Sequence, residues 1–459
     1  MSSFSIDNLI LNNAPEVAKA GKFDKPENNK KVYVETYGCQ MNFSDTEIVM
    51  SVLSDSGYNE AGSIEDSDVI LLNTCSIRDN AEKKIFNRLT HLKRYKKKNP
   101  NRVIGILGCM AERLRADIIE KTGYVDLIVG PDEYRKIPVL LESIADTGKR
   151  GIAVKLSKSE TYDDIMPVRK EGVTAWITVM RGCDKFCTFC VVPFTRGRER
   201  SRKTDSITDE AKKLFGEGIK EITLLGQNVN SFNDGGKDFA DLLKATALAV
   251  PRMRIRYITS HPYDCSPKLL ETMAEFGNVC NYIHLPVQSG SERILKLMNR
   301  LYSVEQYLKV LNNAKKLMPG IGLSTDIIAG FPTETEDDHK LTLELMEEAE
   351  YDSAYTFAYS PRENTKAYRM EDDVDEETKQ RRLEEIITLQ RKISARINRK
   401  LTGFRKELLL ENVSKKSADF MMGRTDCNKT VIVPKNGHKA GDFVNVLINS
   451  ANSATLFGE

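Results

Sequence analysis

Ten short apolar or alternating runs, most of them followed by a helical pattern, constrain the fold of this chain more than any other feature. The first four are predicted strands over Lys31–Tyr37, Val69–Thr74, Arg102–Leu107 and Val125–Val129. A poorly patterned connection over 131–170 follows. The alternation then resumes at Thr174–Met180, Glu221–Leu225, Arg254–Thr259, Tyr282–Val287, Leu323–Ile328 and Tyr355–Tyr359. Runs such as VILLNT and RVIGIL are the pattern of strands covered on both faces. Strands alternating with helices mean βαβ units and parallel sheets. The first series predicts an α/β domain with a doubly wound parallel sheet. The second, six units over about 190 residues, is too short for a closed eight-stranded barrel, which takes about 250 residues. An incomplete (β/α)6 barrel is therefore expected.

Local signals refine this outline. Ser44-Asp45-Thr46-Glu47 reads as a capping box opening a helix through Ile48, Val49, Val52 and Leu53, which Gly57 stops. After the acidic stretch Glu371–Glu377 comes a charged helix to about Lys400. Glu407–Leu410, Asp419–Met422, Thr430–Val433 and Phe443–Leu447 then read as short strands of a small antiparallel β-barrel, an architecture common among nucleic-acid binders. Such a barrel is expected to contribute little to the core of the preceding domains. The expected boundaries are a mobile extension over 1–30, an N-terminal domain over 31–148, a linker over 149–170, the barrel over 171–398 and the terminal barrel over 401–459.

Composition sets the compartment. The chain has 459 residues, 40% hydrophobic and 29% charged, a globular mix. Sixty-eight Lys and Arg against 66 Asp and Glu leave a net charge of +2, which excludes a whole-molecule polyanion field but not a basic patch. No apolar run could span a bilayer, and the first thirty residues lack the pattern of a signal peptide. A cytoplasmic protein without a membrane partner is expected. There the nine cysteines stay reduced, and nine is in any case an odd number for a disulfide framework.

Cys183, Cys187 and Cys190 stand at spacing C-x3-C-x2-C just after a predicted strand. Soft thiolates select zinc, copper(I) or iron–sulfur clusters. Structural zinc wants four ligands, and no fourth Cys or His lies nearby. Three thiolates on a four-iron cluster leave one iron open for a small molecule. Cys39, Cys75 and Cys109 are 36 and 34 residues apart, so no local motif links them. Each nevertheless lies just past the end of a predicted parallel strand, where ligand sites gather. Gly38 and Gly108, directly before two of them, suit close backbone approach. Position alone leaves two readings, one shared cluster or three unrelated loop thiols. Cys265, Cys280 and Cys427 have no partners at useful spacing and read as structural thiols.

The C-x3-C-x2-C spacing resembles the signature of the radical S-adenosylmethionine (SAM) superfamily. There the open iron chelates SAM, whose reductive cleavage yields a hydrogen-abstracting 5′-deoxyadenosyl radical. A three-cysteine N-terminal domain, this motif and a terminal β-barrel together resemble the radical SAM methylthiotransferase family. The segments that carry the likeness include ETYGCQMN, LLNTCSIRDNAE, GILGCMAER, RGCDKFCTFCVVPFTRGRERSR, LLGQNVNSF, HLPVQSGS, MNRLYS and DIIAGFPTET. Within the family, CTFCVVP with TRGRE is most similar to the MiaB-type enzymes, which convert N6-isopentenyladenosine beside the tRNA anticodon to its 2-methylthio form. Asp184 departs from the Asn common in that position.

The resemblance implies two 4Fe-4S clusters and SAM as cofactors. Cys183, Cys187 and Cys190 would hold the SAM cluster, and Cys39, Cys75 and Cys109 an auxiliary cluster that serves as the sulfur source. Phe189 would lie near the adenine of SAM, with Ile328 and Gly330. Gly226 and Gln227 would meet its amino group, and Gln288 and Ser289 its ribose and carboxylate. The terminal barrel would be the RNA-binding module called TRAM. Arg196, Arg198, Arg200 and Arg202, just downstream of the motif, read as a phosphate-binding strip for the anticodon arm, which Arg391–Lys400 (RKISARINRK), leading into the terminal barrel, could extend. The partners implied are tRNA and a reducing electron donor, with the enzyme a monomer. Two rivals stand beside this transferase reading. One is a methylthiotransferase acting on threonylcarbamoyladenosine in tRNA or on an aspartate of a ribosomal protein. The other is a non-catalytic iron–sulfur or zinc RNA-binding protein.

Overall fold

The computed structural model describes residues 9–11, 29–75, 79–115, 117–169 and 172–459. The chain forms two compact units. The first comprises residues 1–170 with 181–184 and 191–200, and the second residues 171–180, 185–190 and 201–459.

The first unit is built on a seven-stranded, wholly parallel sheet. Its strands are β1 (Leu9–Leu11), β2 (Lys31–Thr36), β3 (Asn59–Glu60), β4 (Val69–Thr74), β5 (Val103–Gly108), β6 (Leu127–Val129) and β7 (Arg150–Ala153), in the order β1-β7-β6-β5-β4-β2-β3. Successive residues of β4 point to opposite faces, as a strand's period of two requires. Val69 and Leu71 pack with Ile48, Val49, Leu53, Leu140 and Leu141 on one side. Ile70 and Leu72 pack with Ile85, Leu89, Leu92, Ile118 and Ile119 on the other. That is the doubly wound arrangement expected from the uninterrupted apolar runs.

Three local expectations change. Helix α1 spans Gln40–Asp55, with Cys39 at its N-cap, so Ser44 and Asp45 are not a capping box but lie buried inside the helix. Buried ion pairs far along the chain hold Asp45 there, which a local motif cannot reveal. Strand β7 falls in the span expected to be a linker. Strand β1, inside the expected extension, pairs in parallel with β7. The rest of residues 1–28 lies outside the described residues.

The second unit opens with two three-stranded parallel sheets. Thr174–Thr178, Glu221–Leu225 and Arg254–Ile258 form one. Tyr282–His284, Gly322–Ala329 and Ser353–Ala358 form the other. Helices Thr204–Gly216, Phe239–Ala249, Pro267–Glu275, Val304–Leu317 and Glu336–Ala349 alternate with these six strands, giving the incomplete barrel. Helix Glu376–Arg399 leads to a closed five-stranded barrel of Arg405–Val413, Phe420–Arg424, Thr430–Pro434, Phe443–Ala451 and Leu456–Gly458. The last strand, three residues long, carries no readable pattern in the sequence. It pairs in parallel with Thr430–Pro434, so the barrel is not wholly antiparallel.

The terminal barrel is not an appendage. Arg254 donates to the Arg424 carbonyl and pairs with Glu407. The buried Arg256 guanidinium donates to the Thr425 and Asp426 carbonyls while paired with Glu221. A Cβ on Gly322 would stand 2.3 Å from the Cys427 carbonyl oxygen, so only glycine allows this approach.

Candidate functional site

In the first unit the three dispersed cysteines come from adjacent strand ends. Cys39 lies three residues past β2, Cys75 directly follows β4, and Cys109 directly follows β5 and opens the short helix Cys109–Leu114. The sheet order places β2 and β5 on either side of β4. Neighbouring strands run about 4.8 Å apart, so their carboxyl ends bring the three thiols together. The glycines make this possible. Gly38 has φ +119°, and a Cβ there would stand 2.5 Å from Cys75 Cβ. Gly108 has φ +86°, and a Cβ there would stand 2.5 Å from Asn73 Oδ1.

All three are thiols rather than disulfides. The Cys75 thiol bonds to Cys39 and, with the nearby Arg196 guanidinium, lowers the Cys39 thiol to about 6, against burial. Burial raises Cys109, opposed by Arg196, whose Nε lies 3.0 Å from Cys109 Sγ. The set holds soft sulfur donors only. Among the described residues no three His, Cys, Asp or Glu side chains close on a point that would hold a single metal ion. A four-iron cluster instead binds its ligands at separate corners, so three thiols on three strand ends fit it better than they fit zinc.

The segments of the cysteine motif are held separately. In the first unit Gly182, with φ +81°, runs against the backbone of Gly197–Arg198. A Cβ there would stand 2.0 Å from the Arg198 carbonyl oxygen. The Cys183 amide donates to the Gly197 carbonyl at 3.1 Å. Asp184 accepts from Arg198 Nε at 2.7 Å and from the Glu199 amide at 3.3 Å, so the carboxylate at this position closes a clip.

In the second unit the turn carrying Cys187 and Cys190 is pinned by residues 297–300. Asn299 Nδ2 donates to the Lys185 and Phe186 carbonyls, each at 3.1 Å. The Met298 carbonyl accepts from the Thr188 amide at 3.0 Å, and Arg300 Nη1 approaches Cys187 Sγ to 3.2 Å. Sequence reasoning singled out neither Asn299 nor Arg300. The MNRLYS segment was the available signal, but it lies more than a hundred residues from the motif it braces.

The expected SAM contacts divide. Phe189 and Ile328 share one apolar cluster with Ile294, Met298, Phe331 and Tyr359, a surface suited to a base. Gly226 ends its strand where a Cβ would stand 2.6 Å from Met180 Cγ, and Gln227 follows it, half-buried. Gln288 holds a positive φ of 75° and bridges to Ile327. Ser289 departs from expectation. It is fully buried, with its hydroxyl 3.4 Å from that of Thr342 and accepting from the Ser291 amide, so it braces its loop. Gly330 admits the side chain of Lys379, whose Cγ a Cβ would meet at 2.3 Å.

The arginine strip is corrected by burial. Arg196 pairs with Asp45 at 2.6 Å, Arg200 with Asp132 at 2.9 Å and Arg202 with Glu210 at 2.7 Å, all six side chains buried. Only Arg198 is exposed. The carboxylates that bury the others are remote in sequence or on a separate helix, so the run reads as a surface strip until the fold is known.

Three family models match the chain: the uncharacterized protein family UPF0004 over residues 31–130, the radical SAM superfamily over 177–346 and the TRAM domain over 399–459. A protein of Chloroherpeton thalassium named tRNA-2-methylthio-N(6)-dimethylallyladenosine synthase is 54% identical over 431 residues, 93% of this chain and 95% of that one. A Flavobacterium johnsoniae protein of the same name is 50% identical over 457 residues, 95% of each. Among solved structures, the radical SAM methyltransferase TsrM from Kitasatospora setae, with cobalamin and a 4Fe-4S cluster bound, has a TM-score of 0.58 at 12% identity. It covers 74% of this chain and 77% of its own, a likeness of fold. Identity near one half over nearly the whole length, together with all three domain models, shows that the chain belongs to the tRNA-2-methylthio-N(6)-dimethylallyladenosine synthase family of radical SAM enzymes.

Proposed function

We propose that this chain is a tRNA methylthiotransferase that adds a methylthio group to C2 of N6-isopentenyladenosine next to the anticodon. The observation that carries the reading is the convergence of Cys39, Cys75 and Cys109 at one sheet edge, in a chain that also carries C-x3-C-x2-C. When bound, SAM and the two 4Fe-4S clusters supply the electron transfer, the hydrogen-abstracting radical, the methyl group and the sulfur. Cys183, Cys187 and Cys190 would hold one cluster and Cys39, Cys75 and Cys109 the other. Asn299 and Met298 fix the turn that presents Cys187 and Cys190. Phe189 and Ile328 offer an apolar face to the adenine of SAM; Gly226 and Gln227 follow a strand end and Gln288 bridges to Ile327, where the polar groups of SAM would be met.

The RNA contact moves from the arginine strip to the end of the second unit. Helix Glu376–Arg399 and the turn Ala451–Ser453 enclose a groove of about 520 Å³ lined by Arg391, Lys392 and Arg399. All three are exposed, and among the described residues none has an ion-pair partner, whereas Arg396 and Lys400 pair with Glu350. Uncompensated cations beside a TRAM barrel suit the phosphates of the anticodon arm. The target base leaves its stack to reach a protein-enclosed site, as in other base-modifying enzymes. The enzyme works as a monomer and takes electrons from an external reductant. Because both the relatives' names and the CTFCVVP segment point to the isopentenylated base, the other methylthiotransferase substrates recede. Mass spectrometry of tRNA nucleosides from cells lacking the protein tests the reading. Loss of 2-methylthio-N6-isopentenyladenosine with accumulation of its unthiolated precursor is expected, and an unchanged nucleoside profile refutes it.

A further inference from the structure

Arg196 is buried, and its guanidinium is fixed in three directions. Nε lies 3.0 Å from Cys109 Sγ, Nη2 donates to Asn42 Oδ1 at 3.0 Å, and Nη1 stands 2.6 Å from Asp45 Oδ2. Asn42 Oδ1 also accepts from Cys39 Sγ at 3.8 Å, so this amide links Cys39 to the arginine that touches Cys109 directly. Asp45 cannot neutralise Arg196 alone. Its other oxygen takes Arg181 Nη2 at 2.7 Å, and Tyr134 donates to the carboxylate at 3.2 Å. Two buried guanidiniums therefore share one buried carboxylate. The adjacent Arg200–Asp132 pair is balanced and contributes no spare negative charge. A buried positive charge without a counter-charge costs several kcal/mol. Besides Asp45, the acidic groups facing Arg196 are Cys109, Cys39 and the Tyr134 hydroxyl, and as ligands of a cluster the two cysteines would carry the balancing charge as thiolates.

We infer that Arg196 is a positioning residue of the auxiliary cluster, holding Cys109 Sγ by a charge-assisted hydrogen bond and offsetting the negative charge of the cluster so that its reduction potential is raised. Hydrogen bonds to ligand sulfurs and net local charge are the protein's principal means of setting such potentials. Asp45 and Arg181 act one step further out, fixing the guanidinium. The chemistry differs from that of the phosphate-binding strip the sequence suggested, because the partner of this arginine is a sulfur anion inside the protein.

The inference rests on the proposal that Cys39, Cys75 and Cys109 hold a cluster, and the test separates the two. In full-length protein carrying Cys183→Ala, Cys187→Ala and Cys190→Ala, the auxiliary site is reconstituted anaerobically. Iron and sulfide are counted, and the cluster is titrated potentiometrically by electron paramagnetic resonance. The same is done with Arg196→Lys, with Arg196→Gln, and with Arg196→Gln combined with Asp45→Asn. The double change removes the Arg196 and Asp45 charges together and keeps the comparison available if the single change unfolds the protein. The expected result is four irons in each folded protein. In Arg196→Gln the ratio of reduced to oxidised cluster at fixed potential falls at least tenfold, about 59 mV for one electron; in the double change, which also removes the Asp45 charge, it falls less, and Arg196→Lys recovers part of it. Iron lost from Arg196→Gln but kept by Arg196→Lys also supports the charge role. Equal potentials with four irons retained throughout overturn the inference. No iron in the parent with Arg196 intact overturns the ligand assignment instead.

Discussion

Cys39, Cys75 and Cys109 differ from Cys265, Cys280 and Cys427 in surroundings, although two members of the first set are as buried as the second. Cys265 lies in the barrel core and Cys280 is buried near Arg256 and Glu221; burial pushes each thiol up to about 12, and they remain packing groups. Replacing Cys183, Cys187 and Cys190 with Ala is expected to abolish formation of 5′-deoxyadenosine from SAM. Replacing Cys39, Cys75 and Cys109 together should leave that cleavage measurable while tRNA methylthiolation disappears. Methylthiolation at the unaltered rate in the second protein would remove the auxiliary site from the mechanism. His261 makes a separate prediction about stability. Burial, then Arg300 and Lys185, depress its imidazole to about 2, so the folded protein holds it neutral. Unfolded, it titrates near 6.5. Its contribution is therefore present above pH 6.5 and is lost as pH falls from there toward 2, at about 1.4 kcal/mol per pH unit. Urea midpoints at pH 7.5 and 5.5 should fall less in His261→Gln than in the unaltered protein. An equal fall would mean that another group carries the acid sensitivity.

At the scale of elements, sequence patterning and packing give different answers about the terminal barrel. Its strands alternate as a self-contained domain does, and Leu408, Leu410, Met421, Val431, Val433 and Ile448 form a core of their own. Yet Arg254 and Arg256, on strand Arg254–Ile258, complete their hydrogen bonding on the terminal barrel, Arg254 on the Arg424 carbonyl and Glu407, Arg256 on the Thr425 and Asp426 carbonyls. Arg256→Ala would leave Glu221 buried with only the half-exposed Arg424 at 3.4 Å to compensate it. Removing one partner of a buried pair costs about 3–5 kcal/mol. The expected outcome is a lower thermal midpoint for the whole second unit, measured by calorimetry, and not a selective melting of the barrel. Truncation after Lys400 should destabilise the preceding domain for the same reason. A truncated protein with an unaltered midpoint would show the two parts to be independent.

For the whole molecule, the proposed RNA contact rests on the basic run 391–400, which the sequence also offered as an extension of the arginine strip. Neutralising Arg391, Lys392 and Arg399 should weaken tRNA binding and shallow the slope of log K against log salt by about 0.7–0.9 for each phosphate no longer neutralised. Neutralising Arg198 alone should change it little, since its exposed ion pair with Asp184 is a weak one. An unaltered slope in the triple variant would exclude the groove. The parallel sheet and the six β/α units were legible in the sequence because buried strands must be continuously apolar and amphipathic helices must repeat with the helical period. The C-x3-C-x2-C motif was legible because its cysteines are neighbours in the chain. The second triad was legible only as a position, since its cysteines meet through strand order, and order is a property of the sheet. Arg196, Arg200 and Arg202 looked like surface charges because burial of a cation depends on carboxylates from other elements. Tertiary structure alone supplied Asp45, Asp132 and Glu210, and with them decided that these arginines face inward.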